Sequence, residues 1–164
     1  MDEALRILHV VLGIFWAGSA IFADFILLPQ LKKLGPNIER PVVKQVLRVS
    51  SPVMTACSLL VLGTGIAMVL RTQMTIGVLV STAWGIAMVI AFVAIVISLV
   101  LGLGVLTPTG LRMEKLGKSM ESRKPDPGEI ELMGRLTRRV TNALRTETFM
   151  IIIAIVMMPL SRFL

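Results

Sequence analysis

His9 is the only histidine in the chain, and it stands in an apolar stretch, LRILHVVLGIFWAGSAIFADFILLP, that also carries Asp24. An imidazole in such a setting has four common uses: an interhelical hydrogen bond, a step in a proton relay, a metal ligand or an axial haem ligand. On a helix wheel His9, Gly13, Trp16, Ala20 and Asp24 fall within roughly 80° of arc. That face combines ionisable and small residues. Gly13 and Ala20 admit a close helix or a flat ligand, and Trp16 serves as a ligand wall or as core filling. At 1.5 Å per residue His9 and Asp24 are about 22 Å apart along the axis, so they make two sites rather than one.

Threading the other apolar runs to the depth of His9 brings Met68, Trp84, Met88 and Met157 or Met158 within about a turn of it. A thioether beside an imidazole ligates low-spin haem in some cytochromes and is soft enough for Cu(I). The other use of methionine in an apolar chain is packing. The candidate cofactor-binding set is therefore His9, Gly13, Trp16, Met68, Trp84, Met88 and Met157, with His9 as the metal ligand. A bis-histidine haem within one chain is excluded. At the depth of Asp24 lie Glu147, Arg145 and Arg48. They offer an aspartate–arginine pair that fixes packing, or a proton entry through Asp24 and Glu147. Met54 and Cys57, one turn apart, form a second soft pair without a histidine.

The elements that must hold these residues follow from composition. The chain has 164 residues, 55% hydrophobic and 16% charged, and a mean hydropathy of +0.84. A soluble domain is nearer a quarter charged, so this is an integral membrane protein. Apolar runs near 4–28, 52–71, 77–106 and 144–163 each reach the ~20 residues that cross ~30 Å of hydrocarbon. The expected fold is all-α, a single four-span membrane domain over 1–164 with basic loops at 29–51 and 107–143. Pro29, Pro52 and Pro108 mark helix ends in this reading, and Pro159 kinks the last turns. The acidic start, MDEALR, and the apolar pattern beyond AGSA argue for an uncleaved first helix rather than a signal peptide.

The net charge of +7 raises nucleic acid as a partner. The cations, however, sit in the two loops as topology signals. The first loop holds Lys32, Lys33, Arg40, Lys44 and Arg48. The second holds Arg112, Lys115, Lys118, Arg123, Lys124, Arg135, Arg138 and Arg139, with Arg145 at its edge. Only Arg6, Arg71 and Arg162 fall on the other side, which places both loops in the cytoplasm and both termini outside the inner membrane. Within the loops, IERPVVKQVLRV reads as a short surface helix and SRKPDPG as a break. EIELMGRLTRRVTNALRTE leads as one helix into the last span. These basic helices anchor on anionic lipid or dock a partner. With Cys57 alone there is no intrachain disulfide, and no Walker loop, zinc cluster or GxSxG is present, which argues against soluble-type hydrolysis or phosphoryl transfer.

The opening residues Leu8, His9, Trp16 and Gly18, in the pattern LHxxxxxxWxG, resemble the first helix of a group of small bacterial membrane proteins. That group comprises the copper resistance D (CopD-like) domain, the HemJ-type protoporphyrinogen oxidases and four-helix relatives of unknown function. The continuation LPQLKKLGP, with Phe22, Pro29, Leu34, Gly35 and Pro36, is closest to those relatives. The likeness covers the first ~36 residues. It implies a haem- or metal-ligand role for His9. The oxidases' later-helix lysine has no counterpart in spans two to four, and copper proteins are richer in histidine, so haem is favoured over copper and porphyrinogen oxidation ranks last. The expectation is a membrane-embedded, cytochrome b-like haem protein of electron transport or gas and redox sensing, with the lipid bilayer, a homodimer mate or a quinone as partner. The alternative is a non-redox transport or assembly subunit, copper handling included, in which His9 only bonds across helices.

Overall fold

The computed structural model describes residues 2–71, 75–121, 123 and 125–163; of these, the side chains of 2, 36, 37, 40, 44, 47, 121 and 162 are not described. The topology cations Arg40, Lys44, Lys124 and Arg162, and the Pro36 side chain, lie outside the described set. The helices are α1 (Asp2–Phe22), α2 (Leu28–Lys33), α3 (Pro36–Arg71), α4 (Ile76–Ser81), α5 (Ala83–Leu101), α6 (Thr107–Glu121) and α7 (Pro127–Leu160). Among the described residues there is no strand. Four helical stretches are long and apolar enough to cross a membrane: Glu3–Lys33, Arg48–Arg71, Ala83–Met120 and Pro127–Leu160. The protein is an all-α, multi-pass membrane four-helix bundle.

The spans pack in a ring, α1 on α3, α3 on α5, α5 on α7 and α7 back on α1. Ile7, Val11, Ile14 and Phe15 on α1 point outward, Ile14 with 69% of its surface free, as lipid-facing residues should. The α5–α7 interior is made mostly of small side chains: Ala87, Ala91, Ala94 and Ser98 along α5 pack with Ala143, Thr148 and Ala154 along α7, around the fully buried Ile151. In lipid, apolar burial does not drive helices together, and such stripes gain dispersion contacts by close approach instead.

Two π-helical turns, Ala23–Leu27 and Gly102–Leu106, carry the first and third spans through prolines expected to end them. In each, the next N–H reaches five residues back, Leu28 to the Ala23 carbonyl and Thr107 to that of Gly102, and a proline follows immediately, Pro29 and Pro108. A proline ring inside a helix strikes the carbonyl four residues back. Widening the preceding turn moves that carbonyl aside, so the helix continues. The helices also run through Pro41, Pro52 and Pro159.

The basic loops are consequently not loops. Residues 36–51 are the first part of α3, whose 36 residues extend about 54 Å against ~30 Å of hydrocarbon. The second basic segment is α6 and the start of α7, which, as its sequence indicates, runs unbroken into the fourth span. The true connections are short. Gly35, at φ +83°, closes α2 with its N–H on the Lys32 carbonyl and accepts from Ile38 and Glu39 at the start of α3. At the other break Asp126 and Glu129 form a capping box, and the Arg123 guanidinium clamps both Glu129 oxygens.

The third span starts at Ala83 rather than 77. Thr82, extended at φ −108° and ψ 147°, caps α5 by accepting from the Gly85 N–H, and α4 folds back over that first turn. A Cβ on Gly85 would overlap the Leu79 backbone. Gly85→Ala is expected to lower the melting temperature in detergent by separating α4 from α5. Gly104→Ala, where a Cβ meets nothing within 4 Å, serves as the neutral control.

Candidate functional site

His9 lies half-buried on α1, on the side that packs against α3. Its Nδ1 is 2.8 Å from the Thr64 hydroxyl oxygen. That oxygen is in turn 2.7 Å from the Leu60 carbonyl and 3.0 Å from that of Val61. With the single hydroxyl proton on one of these carbonyls, which only accept, the hydroxyl accepts from the imidazole. In that arrangement the proton of neutral His9 is on Nδ1 and the Nε2 lone pair is left for another partner. Gly65 completes the seat: a Cβ there would come within 3.2 Å of His9 Cε1.

The sequence marks GTG at 63–65, like GLG at 102–104, as a place for close helix contact or local unwinding, but neither α3 residue is among the candidate site residues. The depth was right, since Met68 is one helical turn from Thr64, but the search favoured soft ligands. The usable signal was the GTG at 63–65, a hydroxyl between two glycines at the histidine's level. Gly13, by contrast, has no neighbour within 4 Å of where a Cβ would stand, so no helix presses on it. Trp16 is in the core, 5% exposed, with Ala17, Cys57, Val61, Ala91, Ala94, Ile95, Ile151 and Ala154, and Met54, Met157 and Met158 pack on that cluster. Met68, Trp84 and Met88 are half-buried. The bundle interior at Trp16 is thus filled, and Met54 and Cys57 are part of the filling.

These residues fit one axial bond from Nε2 to a haem iron or a soft metal. No group of three His, Cys, Asp or Glu suited to a metal occurs among the described residues. Open space at Gly13, one turn from His9 with the exposed Val10 beside it, leaves room on the flank of α1 rather than inside the ring.

Asp24 and Glu147 part company. Asp24 is half-buried in the first π-helical turn, and no ion pair of the described residues includes it; Arg48 and Arg145 are exposed. Glu147, half-buried on α7, accepts from Ser98 on α5 at 3.4 Å, with Gly102 alongside.

A scan against family models finds no match, and neither the comparison with curated proteins nor that with solved structures returns one.

Because the chain has one histidine, ring-nitrogen NMR of imidazole-labelled protein reports on this site alone. The expected wild-type spectrum is that of a neutral ring protonated at Nδ1. Thr64→Val should remove that signature, and Gly65→Ala should shift it, while Gly13→Ala leaves it unchanged. A double-mutant cycle of His9→Ala and Thr64→Val should give a coupling of roughly 0.5–2 kcal/mol, typical of hydrogen bonds between membrane helices.

Proposed function

We propose that this chain is a membrane-embedded b-type haem protein in which His9 supplies the axial nitrogen, acting in electron transfer or in gas or redox sensing. The observation behind this reading is the chain of contacts from His9 Nδ1 through Thr64 to the α3 backbone, which with the proton on Nδ1 would leave the Nε2 lone pair for a ligand. Metal-bound histidines are held in this way, because the outer hydrogen bond fixes tautomer and orientation and raises the basicity of the other nitrogen. A haem held there supplies one-electron chemistry or a binding position for a diatomic gas.

The chain's own residues divide the work. Thr64 orients the ring, Gly65 lets it lie close to α3, and the apolar side chains flanking Gly13 exclude water. With one histidine in the chain, any further ligand to the haem would have to be a methionine, a small molecule or a residue of a second copy. The spacing of Leu8, His9, Trp16 and Gly18 supports membership of the CopD-like and HemJ-like group. The bias of lysine and arginine to one end of the bundle supports an orientation with both termini outside, and an inner-membrane location with a quinone or membrane protein as redox partner belongs to the same proposal.

One observation favours a second reading, a non-redox transport or assembly subunit that includes copper handling among its roles. The His9–Thr64 bond joins two adjacent spans and is a sufficient structural tie in itself. Spectra decide between them. Protein purified in detergent with haem supplied should show a Soret band that shifts on dithionite reduction, is lost in His9→Ala and is displaced in Thr64→Val. A colourless wild type at normal yield, with copper absent or stoichiometric, removes the haem reading in favour of the second.

A further inference from the structure

Glu147 is a carboxyl set between two spans, in no ion pair among the described residues. It shares the inward side of α7 with buried Ala143, Thr148, Ile151 and Ala154. Its hydrogen-bond partner is Ser98, fully buried on α5 at 3.4 Å, and Gly102 places helix backbone beside Oε1, a Cβ there standing 3.5 Å away. The cations of the surrounding elements that the structure describes form no ion pair with it. The first π-helical turn packs on α7 and brings Asp24, itself acidic. α5 and the second π-helical turn carry no charged residue. At the far end of α1 are Glu3, Arg6 and His9. On α6, Arg112, Glu114, Lys115 and Lys118 are exposed, as is Arg145 on α7, and no ion pair among the described residues includes Glu147.

A carboxylate moved out of water without a counter-charge is strongly disfavoured against its neutral acid. Both π-helical turns pack on α7, and Gly102 of the second lies beside the carboxyl, where regular helix geometry is interrupted. We propose that Glu147 is a proton-binding site, a carboxyl that takes up and releases a single proton from the basic end of the bundle. The step is carboxylate plus proton to carboxylic acid, with no electron moved. The Ser98 hydroxyl donates to the charged form and accepts from the acid's own O–H. Since Glu147 bridges α5 and α7, loading the proton bears directly on the packing of the most extensive helix pair. The site is independent of His9 and of any haem.

The probe is dicyclohexylcarbodiimide, which reacts with protonated carboxyls in apolar surroundings and adds as a whole molecule to give the N-acylurea. Full-length protein in lipid nanodiscs should acquire one adduct on the peptide containing Glu147, in a yield that falls as pH is raised. The adduct should be lost in Glu147→Gln and kept in Asp24→Asn. The infrared band of a protonated carboxyl should be lost in Glu147→Gln as well, which settles the matter if the reagent is sterically blocked. Should that variant not fold, Glu147→Asp should move both the band and the pH dependence. Labelling at Asp24 in place of Glu147, or absence of both adduct and band, overturns the proposal.

Discussion

In a medium as apolar as leucine, four helices gain nothing by burying leucine, and close backbone approach and interhelical hydrogen bonds must hold them together. This constraint explains why alanine, serine and threonine are so frequent in the core, around a few larger side chains such as Trp16, Ile95 and Ile151, while the phenylalanines and most isoleucines face outward. It also explains the placement of the two polar ties. His9–Thr64 joins α1 to α3, and Ser98–Glu147 joins α5 to α7. Each belongs to one of the two extensive antiparallel pairs, and the two stand at opposite ends of the bundle. Trp16 and its neighbours, drawn from all four spans, close the ring between them.

That arrangement gives each ionisable group a different freedom. Thr64 has spent its proton on the α3 backbone, so the imidazole is held in one tautomer and one orientation. Rigidity of this kind suits a ligand to a fixed atom. Ser98 can act as donor or acceptor toward Glu147, and the contact is longer, so the carboxyl can exist in two states. The same interhelical hydrogen bond is thus a clamp at one end and a pivot at the other.

The four spans were legible because twenty apolar residues in sequence have few other uses, and the unbroken lead into the last span was legible from its continuous helical spacing. The errors came from local rules that the fold overrides. Proline is a good stop signal in water, where an interrupted helix can hydrogen-bond to solvent. At a membrane edge continuing is preferable, and a widened turn accommodates the ring at Pro29 and Pro108. Ser81–Thr82 carried the opposite error, because an apolar run hid the cap that starts α5. For the site, depth could be counted along a helix but rotation could not. Met68 is therefore the expected neighbour where Thr64 makes the contact, and Asp24 the expected partner of Glu147 where Ser98 supplies it. Threonine and serine in an apolar run leave no periodic signature, which is why the two residues that orient the chemistry were the ones missed.

Each π-helical turn holds one residue more than an α-helical turn would, and both lie where a span passes into its basic extension. The apolar and the basic parts of each helix are therefore out of register by one position. Shortening either turn by one residue would restore regular helix, but it would swing everything beyond it through about 100° and aim the basic face elsewhere. In other chains built on this plan, a single-residue gap at 23–27 or 102–106 should accompany loss of the following proline.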